Sequence, residues 1–576
     1  MSGFSLGHVE LFLTNDNRLR INLLKKLISI FVVLSFSQLA YSESEASCEL
    51  FFNSSQVYKL DSLDENHRVN RAEGKVIRKI NFYLLDVFDE SNEDENNLVF
   101  RFLNKVHVNT KKYVIKDQLL FEEGQIAQVS TLVESERLLR KKHYLTDAFI
   151  LPEKVCGDLV DIAVITRDTW ALELEASFGE SGGDTNKSIG FKSGNLFGTG
   201  NLLTVEQVTE NGHSKLVTKT QNPSLFGSRF SSALGYADTS DGEEKFITLN
   251  RHFYSLDSKW GFESRLSSTS FIEDEKNLNG FSGDYQERTG ESYLIYGFSK
   301  GLIDNVARRY YFGLTQDKNI FNATSSTKGD LPDSRVRNYA WIGIKSIENR
   351  YEKFRNIHQI QRTEDIQLGQ EFELNFGLGP TELNNDKDFF HSNASFENAI
   401  SIGKHHLTKI GVSYKGNYLT DESKSENLVL GTKLDYYHYL NQNQRWYAGL
   451  KFDKGIGLTS DQELTFEDET IVRGYPTNYQ QGNRRVLASL EHRRFYNTHL
   501  FNIVRVGRVF FADVARAWDN ENASDSTLLS DIGFGLRFSS SKVRVGNVAH
   551  LDIAIPLSDK SKVDSYQFTL KAYHAF

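Results

Sequence analysis

Alternation of apolar and polar side chains is the feature that most constrains this chain. In Tyr566–Phe576, the sequence YQFTLKAYHAF, the side chains of Tyr566, Phe568 and Phe576 fall on one face and that of Gln567 on the other. The segments GFGLRF (533–538) and LDIAIPL (551–557) alternate in the same way. Successive side chains of a β-strand point to opposite faces, so this period predicts strands with one apolar and one polar face.

Residues 171–576 carry this period without a convincing amphipathic helix, so we predict a mainly β fold. A soluble β-sandwich shares the period. Segments of about 10 alternating residues, however, suit strands that cross an outer membrane, with apolar side chains toward lipid and polar ones toward a lumen. At about 25 residues for each strand and its connection, the region predicts a transmembrane antiparallel β-barrel of about 16 strands. Polar inward side chains also explain a mean hydropathy of −0.44.

An export signal precedes this region. Lys25 and Lys26 are followed by the apolar run Leu27–Phe36, and Ala40-Tyr41-Ser42 offers small residues at the −3 and −1 positions of a cleavage site. The run is too short for a spanning helix, which needs about 20 residues. Residues 1–42 are therefore predicted to be a secretory signal peptide, and an over-extended start would explain the residues before the lysines. Residues 43–73 form a short N-terminal segment.

The chain has two cysteines, Cys48 and Cys156. Export places both in an oxidising compartment, and an even count without a Cys-x-x-Cys motif favours one disulfide over a metal site or a nucleophile. Two free thiols are the alternative. A lipid anchor at Cys48 is disfavoured because Glu45 stands where a lipobox has leucine.

Residues 74–170 read as a small α+β unit. Lys75–Phe82 is strand-like, whereas Asn96–Val106 and Gln128–Leu145 have helical patterns, with Thr131 and Glu134 as a capping box for the second helix. Two further strands follow, DAFILP (147–152) and DLVDIAVITRD (158–168). The predicted order is β-α-α-β-β.

Several kinds of site are disfavoured. The formal net charge is −9 and Lys and Arg are scattered, so no nucleic-acid-binding surface is indicated. Ser181 lies in Gly-x-Ser-x-Gly, but no helical pattern follows it, as a nucleophile elbow requires. His405 and His406 are adjacent and would lie on opposite faces of a strand, which is poor geometry for one metal ion. We therefore predict a protein that is not an enzyme and needs no metal or cofactor.

With these features in place, the chain resembles the outer-membrane POTRA-plus-barrel superfamily, which includes BamA-like and TamA-like insertases and the transporters of two-partner secretion. VRGY (472–475) matches the family signature of a loop that folds back into the lumen, and FFADVARAW (510–518) resembles its Phe-x-Asp-x-Gly strand. GNLFGTGN (194–201) is similar to its glycine-rich early barrel strands. The resemblance implies a single POTRA domain at residues 74–170 and a barrel at residues 171–576.

The resemblance also indicates a site inside the barrel, formed by Arg473, Gly474 and Tyr475. A buried arginine needs an anion, because an unpaired buried charge is costly. Asp513 faces the lumen by the alternation of its strand and is the expected partner, with Glu491 as a second candidate. The alternative is a solvated loop arginine. Two details depart from the pattern: Ala515 replaces the family's glycine, and Arg508 falls on the apolar face of its strand.

The functional expectations follow from the resemblance. Phe576 after alternating residues that include Tyr566 and Phe568 is similar to the signal by which barrels are recognised for assembly. The protein is expected in the outer membrane of a Gram-negative bacterium, among its lipids, with the POTRA domain in the periplasm capturing an unfolded or extended client protein along the strand Asp158–Asp168. Periplasmic or lipoprotein partners are further expected. Insertion of clients, secretion of one exported protein, and a structural or passive-pore role remain open.

Overall fold

The computed structural model describes residues 48–51, 57, 69–181, 184–210, 213–273, 284–328, 330–403, 405–466, 470–519, 526–543 and 547–574. The expected signal peptide, residues 1–42, and Phe576 lie outside these residues. In the part of the chain that is described, no helix has both the length and the apolar character needed to cross a membrane. An N-terminal α+β domain is followed by a closed β-barrel.

The N-terminal domain is a four-stranded sheet with helices. Its elements are β1 (Glu49–Leu50), β2 (Val76–Leu85), α1 (Leu98–Val106), α2 (Lys112–Lys116), α3 (Val129–Arg140), β3 (Leu145–Cys156) and β4 (Leu159–Asp168). The sheet order is β1-β3-β4-β2, with β2 parallel to β4 and β3 antiparallel to it. The order β-α-α-β-β expected from the sequence lacked β1 and α2, which are too short to show a period.

The two longer helices begin in different ways. The Asn97 side chain caps α1 by accepting a hydrogen bond from the Phe100 N–H at 3.0 Å. The capping box expected at Thr131 and Glu134 is wrong, because α3 begins earlier, at Val129, and no side chain of its N-cap residue caps it. The Val129 N–H instead donates to the Glu73 carboxylate at 2.6 Å. Tertiary contact with the preceding segment therefore sets this helix start.

The identity of the free sheet edge also differs from the expectation. β4 contains the segment proposed to take up a client, but it lies between β3 and β2 and is hydrogen-bonded on both sides. The two-residue β1 forms one edge and pairs only with Lys154 and Val155 at the end of β3, and β2 forms the other edge. Residues 124–127 cover its first part, through bonds between Ile77 and Gln125, and Ile80 donates to the Glu123 side chain. Beyond Ile80, no strand among the described residues pairs with this edge.

The barrel is a closed antiparallel sheet, which confirms the mainly β class. Its strands and those of its connections are β5 (Leu172–Ser181), β6 (Asp184–Leu196), β7 (Asn201–Glu210), β8 (His213–Asn222), β9 (Ser231–Thr239), β10 (Gly242–Arg251), β11 (Trp260–Glu273), β12 (Tyr285–Ile303), β13 (Val306–Ala323), β14 (Arg335–Glu348), β15 (Tyr351–Arg355), β16 (Thr363–Gln367), β17 (Glu371–Gly379), β18 (Phe389–Ile402), β19 (His406–Leu419), β20 (Lys424–Asn441), β21 (Gln444–Ile456), β22 (Leu464–Thr465), β23 (Gln481–Gly482), β24 (Arg484–Leu500), β25 (Val504–Trp518), β26 (Leu529–Ser540), β27 (Asn547–Pro556) and β28 (Gln567–His574). The pairs β15–β16 and β22–β23 are separate two-stranded sheets.

Within the described residues the closed sheet has twenty strands, not about sixteen. The expectation assumed a uniform length for each strand with its connection. Strands β5–β10 instead have 9 to 13 residues and are joined mostly by short turns, so the first part of the region holds more strands than the average allows. Turn length is not visible in the alternation, and this is why the count was wrong.

Side chains alternate between the two barrel faces as the sequence predicts. On β25, Phe510 and Val514 are exposed on the outer face, whereas Asp513 and Ala515 are buried on the inner face. On β28, Phe568 is exposed and Thr569 is buried. Apolar side chains therefore cover the outside, whereas the inner face carries charged and small side chains together with aromatic ones such as Phe511.

The N-terminal domain packs against one end of the barrel, which we call the proximal end; the opposite end is the distal end. The turn between β6 and β7 contacts the domain: Gly198 O accepts from the Lys111 N–H at 2.9 Å, and the Asn195 amide donates to Thr110 Oγ1 at 2.7 Å. Gly198 has φ +71°, and a Cβ there would lie 2.4 Å from Asn109 O. The glycine-rich segment thus serves as a close-packed turn.

Candidate functional site

A long connection at the distal end folds inside the barrel. Residues 457–483 join β21 to β24 and carry Arg473; the structure describes 457–466 and 470–483 of them, and we call these two ranges the lumen loop. Arg473 Nε and Nη2 donate to the two carboxylate oxygens of Asp513 at 2.7 and 2.8 Å, and its Nη1 lies 2.9 Å from Glu491 Oε1. The Arg473 side chain is only 11 % exposed and that of Asp513 1 %. The structure therefore brings the expected arginine together with both candidate acids.

An aromatic ring completes the arginine's surroundings. The Arg473 guanidinium carbon lies 3.6 Å from the centroid of the Phe511 ring, on the strand that supplies Asp513. Planar guanidinium groups stack on aromatic faces while they bind a carboxylate with two parallel hydrogen bonds. A lysine could not satisfy both contacts, so this position is specific for arginine.

Gly474 and Tyr475 attach the same loop to the next strand. The Gly474 N–H donates to Asp531 Oδ2 at 2.8 Å, and a Cβ at Gly474 would lie 2.6 Å from the Asp531 Cβ. The buried Tyr475 hydroxyl accepts hydrogen bonds from the N–H groups of Ser530 and Ser558 at 3.3 and 3.2 Å. The sequence reasoning missed Asp531. This residue lies an even number of positions from Gly533 and Gly535 on the same strand, so its side chain is on the inner face, as theirs would be.

Ala515 has a packing role where the family pattern has glycine. Its side chain is fully buried in a cluster with Phe466, Val472 and Tyr475 of the lumen loop and with Leu529 of β26. A methyl group at this position fills space beneath the loop. The close approach that a glycine permits is therefore replaced here by an apolar contact.

The acids of the inner wall have further cationic partners. Arg493 Nε lies 2.6 Å from Glu491 Oε2, and Arg537 Nη1 donates to Asp552 Oδ1 at 2.5 Å. Glu491 consequently binds two arginines, whereas the ion pair of Asp513 is with Arg473. Loss of Arg473 would leave Asp513 with the larger uncompensated charge.

A second connection reaches into the proximal end of the barrel. We call residues 350–369, which contain β15 and β16, the mouth hairpin. Ile357 and Ile366 pack against the inward side chains of Leu407 and Tyr437, and Ile360 packs against Phe495. This apolar packing holds the hairpin against the lumen wall. No signal in the sequence reasoning indicated it.

Buried polar groups stabilise the turn of the mouth hairpin. The Glu364 carboxylate accepts hydrogen bonds from the N–H groups of Ile357 and His358 at 2.8 and 2.9 Å. Burial raises the pKa of Glu364 to about 7, although these donors oppose the shift. Burial, together with the nearby charges of Lys409 and Arg493, lowers the pKa of His358 to about 3. The imidazole is therefore neutral at pH 7.

Barrel arginines hold the backbone of the mouth hairpin. Arg445, which is fully buried, donates to Arg355 O at 3.2 Å, and Arg505 donates to Ile360 O at 3.2 Å. Arginine presents several N–H donors in a fixed arrangement, so one side chain can satisfy carbonyls that a turn leaves without partners. The hairpin is thus bound to barrel strands, β21 and β25, that are not its neighbours in the sheet.

The N-terminal domain binds the other side of the mouth hairpin. Arg140 of α3 donates from Nε and Nη2 to the two oxygens of Asp365 at 2.9 and 2.8 Å. Lys353 lies 3.0 Å from Glu136, and the Arg137 guanidinium lies 3.6 Å from the centre of the Tyr351 ring. Domain, hairpin and barrel are therefore joined through one charged interface.

Between the lumen loop and the mouth hairpin lies a cavity of about 820 Å³. Its lining includes Arg473 and Ile471 from the loop, Ile357 and His358 from the hairpin, and Lys409 from the wall. The lumen therefore contains a chamber with both polar and apolar lining, bounded by a chain segment from each end of the barrel.

The remaining predicted residues lie away from this chamber. Cys48 and Cys156 are joined by a disulfide with a Cα–Cα distance of 4.3 Å, next to the pairing of β1 with β3. Phe568 lies on the outer face of β28, and Tyr566 is exposed just before it. Phe576, the third residue of the expected assembly signal, is outside the described residues.

The residues weighed for chemistry have structural positions. Ser181 is the last residue of β5, and the glycines after it are outside the described residues. His406 Nδ1 lies 2.8 Å from the Tyr436 hydroxyl, and His405 Nδ1 lies 3.1 Å from Tyr439 O. Over the described ranges, no group of three or more His, Cys, Asp or Glu residues could hold a metal ion.

Comparison with known proteins gives one sequence match to report. The chain is 22 % identical over 210 residues to the outer membrane protein assembly factor BamA of Buchnera aphidicola subsp. Acyrthosiphon pisum (strain APS). The resemblance to the BamA-like superfamily is confirmed. The match covers 35 % of this chain and 32 % of the relative, so it spans about a third of that protein's length. No family model matches the chain.

The solved structures that are similar to the chain include three that are described here. CdiB from Escherichia coli is 10 % identical, with 87 % of this chain and 77 % of that chain covered and a TM-score of 0.43. CdiB from Acinetobacter baumannii is 11 % identical, with 98 % and 100 % covered and a TM-score of 0.40. BamA from Haemophilus ducreyi lacking POTRA domains 1–3 is 13 % identical, with 87 % and 84 % covered and a TM-score of 0.36.

Proposed function

We propose that this protein lies in the outer membrane of a Gram-negative bacterium and inserts client proteins into that membrane. The observation that carries the proposal is the buried pairing of Arg473 with Asp513, which attaches the lumen loop to the inner wall through the motif that the superfamily signature predicts. A loop arginine exposed to water would not need two carboxylates. The sequence match to an outer membrane protein assembly factor supports the same role.

In this proposal the N-terminal domain is a POTRA domain in the periplasm and captures an extended client by strand addition. The free edge of β2 supports this step, because an unpaired edge presents N–H and C=O groups to an incoming strand. The Ile77 and Ile80 N–H groups point away from β4. Continuing the alternation from Ile80, the N–H groups of Phe82 and Leu84 also face the open edge.

Export of a client through the lumen is a second candidate, and the mouth hairpin is the observation that favours it. The hairpin occupies the proximal end of the lumen and binds the N-terminal domain through Arg140 and Asp365. A client bound to the domain would lie next to the element that must move to open the lumen. Insertion from the outer face of the barrel needs no such movement, so the two candidates differ in whether the hairpin is displaced.

The test is a reconstitution into liposomes with an unfolded β-barrel client added outside. The wild-type protein is expected to increase the amount of folded, protease-protected client, whereas Leu84→Pro removes one edge N–H and is expected to lower it severalfold. Proline is tolerated on an edge strand whose N–H faces solvent, so the domain should still fold. Leu84→Ala is the matched control, because it loses side-chain packing but keeps the N–H.

The outcomes separate the candidates. Folded client in the bilayer supports insertion, and soluble client inside the vesicles supports export. Ion conductance without insertion or export of the client would support the passive-pore role and would reject both insertion and export. Equal client yields for Leu84→Pro and Leu84→Ala would reject capture at the β2 edge.

A further inference from the structure

Two arginines face each other on the outer surface of the barrel. Arg494 of β24 and Arg508 of β25 are direct partners in the register of these antiparallel strands. Both side chains are on the outer face, because each residue lies an even number of positions from an exposed residue of its own strand. These exposed residues are Leu490 on β24 and Phe510 on β25. Like charges directly opposite each other destabilise a strand pair, so an anion bound between them would stabilise this arrangement.

None of the described residues on this surface supplies that anion. The outward positions of four adjacent strands, within Gln444–Phe452, Val486–Tyr496, Val506–Val514 and Ile532–Phe538, carry no Asp or Glu. Among the described residues, no ion pair is found at Arg494 or Arg508, and Arg508 Nε is buried without a hydrogen-bond partner. A counter-charge for the pair is therefore expected from outside these residues.

The pair lies at the proximal border of the apolar outer surface. Arg508 is four residues from the start of β25, or about 10 Å above that end for a tilted strand. The turn before β25 adjoins the N-terminal domain, because the Asn502 amide donates to Asp94 O at 2.8 Å. On the distal side of the pair the outward residues of β25 are apolar: Phe510, Ala512 and Val514.

Aromatic side chains surround the pair. The Arg494 guanidinium lies 5.6 Å from the Tyr496 ring and that of Arg508 lies 5.2 Å from the Phe510 ring. Trp446 stands beside His492, with 4.9 Å between ring centroids. Tyrosine and tryptophan concentrate at membrane–water interfaces, where lipid headgroups lie. Arginine side chains at this depth extend toward the headgroups.

We propose that Arg494 and Arg508 bind the phosphate of an anionic phospholipid in the leaflet on the side of the N-terminal domain. A phosphodiester offers oxygens that accept hydrogen bonds from both guanidinium groups. A zwitterionic headgroup carries an ammonium group that already neutralises its phosphate, so the positive charge of the two arginines stays uncompensated. An anionic lipid therefore binds more tightly. The inference rests on the barrel lying in a membrane and is independent of how clients are handled.

Native mass spectrometry of the full mature chain in detergent tests the inference, with phosphatidylglycerol and phosphatidylethanolamine titrated separately. The wild type is expected to bind phosphatidylglycerol more tightly, and Arg494→Gln together with Arg508→Gln is expected to weaken this binding by about tenfold for each arginine removed. Arg308→Gln is the matched control. Arg308 is an exposed arginine of β13 and pairs with Ser346 of β14. Glu348, two residues beyond Ser346 on β14, places a carboxylate near Arg308, which Arg494 and Arg508 lack.

Equal binding of phosphatidylglycerol by the wild type and the double variant would overturn the inference, as would equal binding of the two lipids by the wild type. A loss as large in Arg308→Gln would show that any surface arginine suffices and would also overturn it. Should the double glutamine variant not fold, Arg494→Lys with Arg508→Lys keeps both charges. That variant is expected to retain the preference for phosphatidylglycerol, and its loss would contradict the proposal.

Discussion

Replacing Arg473 with alanine removes the cation that three buried oxygens contact, two from Asp513 and one from Glu491. Glu491 keeps Arg493 as a partner at 2.6 Å. Asp513 loses both of its hydrogen bonds to Arg473 while it remains buried. The expected result is a lumen loop that detaches locally while the barrel stays folded and inserted.

The magnitude follows from the burial of the pair. Removing one member of a buried ion pair costs about 3–5 kcal/mol, because the other charge is left uncompensated. The lower end applies here, since Arg493 still neutralises Glu491 and the lumen admits water once the loop moves. A change of about 3 kcal/mol raises the population of the detached loop roughly a hundredfold.

Hydrogen exchange followed by mass spectrometry measures this population directly. The Gly474 N–H donates to Asp531, and the Tyr475 N–H donates to Val472 O at 2.9 Å. Both amides are expected to exchange roughly a hundredfold faster in Arg473→Ala than in the wild type, with little change in the barrel strands. Client handling in liposomes should fall in parallel.

Arg337→Ala is the matched control, because Arg337 is a similarly buried arginine of β14 whose partners, Asp386 and Glu426, lie outside the lumen loop. It should leave the exchange of Gly474 within a few-fold of the wild-type rate. Unchanged loop exchange in Arg473→Ala would refute the reasoning, as would an equal acceleration in the control.

Two further predictions concern the mouth hairpin and the disulfide. Burial raises the pKa of Glu364 from its ordinary value of 4.5 to about 7, so the folded hairpin binds this proton more tightly than the unfolded segment does. Hairpin stability is therefore greatest below pH 4.5 and falls as the pH rises to about 7. Amide exchange in the hairpin, corrected for its intrinsic pH dependence, should accelerate over that interval. In Glu364→Gln the corrected exchange rate should not change with pH. Cys156→Ser opens a link between residues 108 apart in sequence and is expected to lower the free energy of unfolding of the N-terminal domain by about 2–4 kcal/mol. Faster exchange of β3 amides would measure that loss, and a reductant should reproduce it in the wild type; unchanged exchange in both would contradict it.

The candidate site shows which contacts a local pattern can predict. The inward parity of Asp513 and Glu491 follows from the two-residue period of their strands, and the need of Arg473 for an anion follows from electrostatics. Asp531 obeys the same period and could have been found by counting from Gly533. The capping box at Thr131 was misplaced because the Glu73 carboxylate, far away in sequence, binds the first N–H of α3.

By itself the sequence determined the mainly β class, the two faces of each strand and the inward direction of the charged residues, because these follow from backbone geometry within a few neighbouring residues. Only the tertiary structure decided the number of strands, the edge position of β2 and the mouth hairpin. These depend on strand pairing, turn length and contacts such as that of Arg140 with Asp365, which are 225 residues apart. No period along the chain encodes a contact between segments that meet only when the barrel closes.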